Sequence, residues 1–102
     1  KGITFSGGDP LERAAEFAYM AKAFKKAGLN IWCYTGYTFE NVLEMMKKDN
    51  NIRELIENID VLVDGRFEKD KKVDGLKFRG SSNQRIIDVK MSLKGNCIVT
   101  LE

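Results

Sequence analysis

The chain has 102 residues, 43% hydrophobic and 31% charged, with a formal net charge of +2. That length sustains one small domain, spanning residues 1–102, and is too short for two. The near-balanced charge gives no clustered basic excess for a nucleic-acid partner, and no run reaches the ~18 apolar residues of a membrane span. One proline beside six phenylalanines, three tyrosines and a tryptophan argues against disorder. No secretory signal pattern opens the sequence. There is no histidine, so histidine acid–base catalysis and histidine metal ligation are excluded. The two cysteines, Cys33 and Cys97, are too few for a zinc or iron–sulfur site, which takes three or four ligands. They are expected to be buried free thiols of a cytoplasmic protein; a disulfide between them is the alternative.

Residues 3–6 are a short apolar run that ends in Gly7-Gly8-Asp9-Pro10. Over residues 11–27 the pattern becomes helical, with Ala14, Phe17, Ala18, Ala21 and Phe24 on one face. Asp9 suits an N-cap, Pro10 the first helical position and Gly28 the stop. Residues 30–34 form the second apolar run and end in Thr35-Gly36. Thr38 then caps a helix that buries Phe39, Val42, Leu43 and Met46. After a break at Asp49-Asn50-Asn51, Asn51 starts a further helix with Glu54 at the capping-box position and Ile52, Leu55 and Ile56 inward. Residues 59–63 are the third apolar run, ending in Asp64-Gly65.

These runs begin at Ile3, Asn30 and Ile59, roughly thirty residues apart, the length of βα units with right-handed crossovers. The predicted fold class is therefore α/β, built from repeated βα units with a mainly parallel sheet. Residues 65–84 are charge-dense and glycine-punctuated, with Val73, Leu76 and Phe78 as anchors or a short strand. A connection of that length is usually functional or mobile. Residues 85–89 read as a fourth strand, 91–94 as a short helix or turn, and 97–101 as strand-like. Leu101-Glu102 is either native or a tag remnant.

In parallel sheets, ligands bind beyond the carboxyl ends of the strands. Gly7, Gly8 and Asp9 follow the first strand, Thr35 the second and Asp64 the third. Asn83 and Gln84, with Ser81 and Ser82, lead into the fourth, from the opposite end if that strand is also parallel. A Gly-Gly turn resembles a phosphate cradle, yet the Asp9 carboxylate repels an anion and attracts an ammonium group. The alternative is a tight βα turn with Asp9 as a plain N-cap. Trp32 and Tyr34 share one face of their strand and Cys33 the other. Tyr37 either stacks on an adenine ring or packs on a helix. Asp64 ends an apolar strand and needs a partner: a ligand hydroxyl or ammonium, or Arg66 or Arg79.

Four blocks occur together: Ile3-Thr4-Phe5-Ser6-Gly7-Gly8-Asp9-Pro10-Leu11, Ile31-Trp32-Cys33-Tyr34-Thr35-Gly36-Tyr37, Val61-Leu62-Val63-Asp64-Gly65-Arg66-Phe67 and Arg79-Gly80-Ser81-Ser82-Asn83-Gln84. In this order and spacing they resemble the activating-protein family of anaerobic (class III) ribonucleoside-triphosphate reductases, which are radical S-adenosylmethionine enzymes. The resemblance implies part of an incomplete radical-SAM-type (βα) barrel and S-adenosylmethionine as cofactor. It also implies a [4Fe–4S] cluster held by a CxxxCxxC motif, the glycyl-radical reductase as partner, and an electron donor such as flavodoxin. That cysteine motif precedes the Ser-Gly-Gly-Asp block in the family and is absent from these residues. The chain is therefore expected to be a C-terminal portion, catalytically inactive alone and holding no metal. Gly7, Gly8 and Asp9 match the motif for the cofactor's amino group; Thr35, Asp64, Asn83 and Gln84 are cofactor or partner contacts by position. The competing readings are a non-enzymatic βα adaptor that docks a glycyl-radical enzyme, and a generic nucleotide-binding α/β domain.

Overall fold

The computed structural model describes residues 2–6, 8–66 and 83–101. Strand β1 (Gly2–Phe5) leads through a 3-10 turn at Pro10–Arg13 into helix α1 (Ala14–Lys26). Asp9 caps the turn, accepting a hydrogen bond from the Leu11 amide at 3.1 Å. Pro10 opens it, because a proline at this position gives up only an N–H that would have no helical partner. The sequence predicts one helix from Leu11. The structure interrupts it at Arg13, whose φ of −131° and ψ of 44° lie outside the helical region.

Helix α1 buries Ala14, Ala18 and Ala21, the face predicted from the sequence. Phe17 and Phe24 rest on Phe5 of β1, with ring centroids 4.9 and 6.2 Å apart. Gly28, at φ +80°, turns the chain out of the helix, in a conformation that costs glycine little. Strand β2 (Asn30–Tyr34) follows, then α2 (Phe39–Lys48), capped as expected by Thr38. Helix α3 (Asn50–Glu57) starts earlier than predicted. Its cap is Asp49, whose carboxylate accepts from the Asn51 and Ile52 amides. Glu54 serves no capping box; it binds Lys22 of α1 and Asn50.

Strands β3 (Val61–Asp64) and β4 (Arg85–Asp88) and helix α4 (Val89–Gly95) complete the described elements. The sheet order is β1-β2-β3-β4. β1 and β3 both run parallel to β2, with Ile3 beside Ile31 and Cys33 beside Leu62. The mainly parallel α/β architecture is thus borne out. β4 is antiparallel to β3, with Leu62 beside Ile87 and Asp64 beside Arg85. The run at 97–101 joins the far side of β4 through a single bridge, Ile87 to Thr100. The Asp88 and Leu101 amides donate to Val99 and Ile86 carbonyls, both at 2.8 Å.

All four helices contribute to one core on one face of the sheet. It joins Ala18 and Ala21 of α1, Phe39 and Val42 of α2, Leu55 and Ile56 of α3, and Val89 of α4 to Ile31, Cys33, Leu62 and Ile87 of the strands. Fully burying each large aliphatic side chain stabilises the fold by about 1.5–3 kcal/mol. The opposite face holds a second cluster of Val61, Val63 and Ile86, with Trp32 and Tyr34 against it. The strand alternation predicted for Trp32, Cys33 and Tyr34 is therefore observed. At the edge where β2 and β3 begin, Asp60 accepts from Lys25 Nζ and the Ile31 amide, both at 2.8 Å.

Both cysteines are free. Cys33 is buried as expected, whereas Cys97 is exposed, because it falls in the turn after α4 rather than inside a paired strand. Gly7, the anchors Val73, Leu76 and Phe78, and Arg79, Ser81 and Ser82 lie outside the described residues. No described helix is long and apolar enough to cross a membrane.

Candidate functional site

Because β1, β2 and β3 are parallel, the residues that follow them collect at one edge of the sheet. The reversed direction of β4 brings Asn83 and Gln84 to that same edge, not the opposite one that a parallel β4 requires. Two adjoining clefts form there. The smaller, about 180 Å³, is lined by Asp9, Thr35, Gly36, Gly65, Arg66 and Gln84, with Tyr34. The larger, about 600 Å³, shares Gly36, Gly65 and Arg66 and extends over Thr38, Glu40, Asn83 and Arg85.

Asp9 ties the end of β1 to the end of β2. Its Oδ1 accepts from Leu11 and its Oδ2 from the Gly36 amide at 3.0 Å. The Thr35 hydroxyl donates to the same carboxylate, 3.0 Å from each oxygen. Thr35 is itself buried. Its amide donates to the Val63 carbonyl at 3.1 Å, and its hydroxyl accepts from the Tyr37 amide at 3.2 Å. A side chain added at Gly8 would meet nothing within 4 Å, so the backbone there stands open.

Asp64 is 1% exposed. Its Oδ2 accepts from the Phe39 amide at 2.8 Å, which anchors the start of α2. Its remaining partners all belong to Arg85: the amide at 3.2 Å, Nε at 3.1 Å and Nη2 at 2.5 Å. Arg85 also reaches Glu40, with Nη2 at 2.7 Å from Oε1. The Asp64 and Glu40 carboxylates bound to the guanidinium raise its pKa, and Arg85 in turn holds the Glu40 carboxyl below its ordinary range. The sequence offers Arg66 or Arg79 as the partner of Asp64; the structure supplies Arg85. Nothing in the sequence marks that pairing, since it depends on β4 running antiparallel. Glu40 has no local signal either, since its contact joins α2 to β4.

Gln84 is buried and donates to the Gly65 carbonyl at 2.9 Å; Asn83 donates to the Arg66 carbonyl at 2.8 Å. Both side chains thus grip the β3 loop. That loop turns at Gly65, where φ is +91° and the amide donates to the Tyr37 carbonyl at 2.9 Å. Arg66 is exposed and pairs with no carboxylate among the described residues, while lining both clefts. Tyr37 packs against the helix-side core and donates its hydroxyl to Glu12 at 3.2 Å. That bond raises the phenol pKa. Behind the site, burial and then the Asp9 charge push the Cys33 thiol up to about 12.

The edge therefore combines a carboxylate after β1 with a guanidinium after β3, on either side of the end of β2. Against this geometry, residues 1–87 match the family described as a 4Fe-4S single cluster domain, and the chain belongs to that family. Its curated relatives carry a more particular name. The chain is 40% identical over 90 residues to the anaerobic ribonucleoside-triphosphate reductase-activating protein of Pasteurella multocida, covering 84% of this chain and 54% of the relative. It is 34% identical over 91 residues to the protein of that name from Enterobacteria phage T4 (84% and 52%) and 36% over 90 to that of Escherichia coli K12 (82% and 53%). The chain spans about half the length of the curated relatives it matches. No solved structure matches it. The resemblance drawn from the four sequence blocks is borne out by these relatives.

The family's cluster does not fit the residues present. Cys33 lies inside β2 and Cys97 past α4, and no three potential metal ligands gather among the described residues. The site these residues form is a polar binding edge.

Proposed function

We propose that this chain forms the S-adenosylmethionine-binding portion of an enzyme that activates an anaerobic ribonucleotide reductase, as part of a radical-SAM-type (βα) barrel. The observation that carries this reading is the placement of Asp9 and Arg66 around the smaller cleft. An α-amino acid end presents an ammonium and a carboxylate on one carbon. Asp9 attracts the first, and Arg66 pairs with the second through a planar, permanently charged guanidinium. The cleft of about 180 Å³ suits that end, and the adjoining 600 Å³ suits the nucleoside. Gly8 leaves backbone open beside Asp9. Thr35, Asp64, Asn83 and Gln84 frame the same edge, and the names of the relatives support the activating role.

Bound S-adenosylmethionine supplies the 5′-deoxyadenosyl group that abstracts hydrogen in the reaction the resemblance implies. The part played by this chain is to bind and orient the amino-acid end. With no cluster-forming thiol set among its residues, the chain alone yields no 5′-deoxyadenosine. The partner in this reading is the glycyl-radical reductase, with a reductant such as flavodoxin, in the cytoplasm. Calorimetric titration of the 102-residue chain with S-adenosylmethionine and with ATP tests it. The expected result is preference for S-adenosylmethionine, weakened about tenfold by Arg66→Gln, which removes a charge-assisted pair. Preference for ATP through its triphosphate overturns the reading in favour of a generic nucleotide-binding domain.

A further inference from the structure

We propose that Thr35 is a positioning residue that acts through Asp9 and fixes the direction in which its carboxylate meets a ligand ammonium. The inference rests on the reading of Asp9 as the ammonium acceptor and adds to it the device that aims the group.

The argument starts from hydrogen-bond capacity. An ionised carboxylate offers about four acceptor positions. Leu11 N, Gly36 N and the Thr35 hydroxyl fill three of them in this chain. One position is left, on a carboxylate that lines the smaller cleft. A ligand ammonium is bound well only if that position is held in place, because a rotating carboxylate exchanges its acceptor directions.

Two of the three internal partners are backbone amides, one from the turn after β1 and one from the turn after β2. The third is a side chain placed astride both carboxylate oxygens at 3.0 Å. Its proton has one direction to take, since the Tyr37 amide donates to the same hydroxyl oxygen at 3.2 Å. Thr35 is itself immobilised: it is 5% exposed, its amide is bonded to Val63 of β3, and its branched Cβ restricts rotation. The hydroxyl is thus a fixed donor on a strand end, facing a carboxylate on a neighbouring loop. A residue that touched the ligand directly would have its hydroxyl free. Here both its donating and one of its accepting capacities are spent on Asp9 and Tyr37.

Thr35→Val keeps the shape and removes the donor; Thr35→Ser keeps the donor and serves as the rescue. The first readout needs no ligand. Hydrogen exchange at the Gly36 amide reports the Asp9 contact, because that amide is exposed and donates to the carboxylate. Thr35→Val is expected to speed this exchange about tenfold, with Thr35→Ser near wild type and amides inside β1 and β2 unchanged. The second readout is the affinity ratio of S-adenosylmethionine to its desamino analogue. Thr35→Val is expected to lower this ratio about tenfold, the range for a lost bond to a charged group, with restoration by Thr35→Ser. Unchanged Gly36 exchange in a folded Thr35→Val protein overturns the inference, as does an unchanged affinity ratio where the wild type prefers the amino ligand. A wild-type chain that binds both ligands equally overturns instead the ammonium role of Asp9.

Discussion

Asp64 and Arg85 stand opposite each other across the only antiparallel ladder among the described strands, and the carboxylate takes three hydrogen bonds from that one arginine. The pair is asymmetric. Asp64 is 1% exposed in its side chain, whereas Arg85 is 33% exposed and continues outward to Glu40. Removing the arginine strands a buried carboxylate; removing the carboxylate leaves a cation with water and Glu40 at hand. Arg85→Met is therefore expected to cost about 3–5 kcal/mol, and Asp64→Asn with Arg85→Met considerably less than the single arginine change. Urea unfolding of the two variants beside the wild type checks the order.

The outer half of that network sets an acid dependence. Arg85 holds the Glu40 carboxyl below its ordinary value through a hydrogen bond. The unfolded chain carries this group at an ordinary pKa of about 4.3. The stabilisation is then fully present above that value and is lost as pH falls through the lower folded value. Glu40 is 59% exposed, so the effect is small, about 0.5 kcal/mol. Unfolding midpoints of wild type and Glu40→Gln are expected to differ at pH 7 and to converge near pH 3.

The two thiols are expected to behave differently. Burial, and then the Asp9 charge, push Cys33 up to about 12, which leaves on the order of a thousandfold less thiolate than an ordinary thiol of pKa ~8.5. Cys97 is exposed. A thiol reagent at pH 8 should modify Cys97 promptly and Cys33 only on unfolding; prompt double labelling of the folded chain contradicts the burial described. The raised value also implies a loss of stability from about pH 9 upward, as the unfolded thiol ionises and the folded one does not.

Gly65 sits at φ +91° between Asp64 and Arg66. An added Cβ has room, its nearest contacts being Asn83 atoms at 3.6 Å, so the obstacle is backbone conformation and not space. Gly65→Ala is expected to cost about 1–2 kcal/mol and to weaken S-adenosylmethionine binding by turning Arg66 away from the cleft. Denaturant unfolding beside calorimetry separates the two effects.

Much of this was legible in the sequence, for reasons visible in single residues. Period and punctuation located the helices because Asp9, Thr38 and Gly28 carry local chemistry that acts on the next few amides. The strand faces were legible because Trp32, Cys33 and Tyr34 alternate. What escaped depends on direction and distance. The sense of β4 is set by how Ile86 and Ile87 meet β3, so neither the Arg85–Asp64 pair nor the arrival of Asn83 at the ligand edge has a local signal. The cap of α3 was misplaced by two residues because Asp49, Asn50 and Asn51 are all capable caps. Thr35 was recognised by its place, while its bond to Asp9 spans two separate βα turns.

The clasp between Asn83 and the Arg66 carbonyl closes the chain on itself at 2.8 Å. The entry to residues 67–82 and the exit from them are thereby pinned to each other, independently of what lies between. The Gln84 bond to the Gly65 carbonyl and the β3–β4 ladder from Asp64 and Arg85 onward lie directly behind this clasp, so this end of the antiparallel pair is closed three times over. Asn83→Ala would remove only the outermost of these ties, and the Asp64–Arg85 pairing is expected to persist without it.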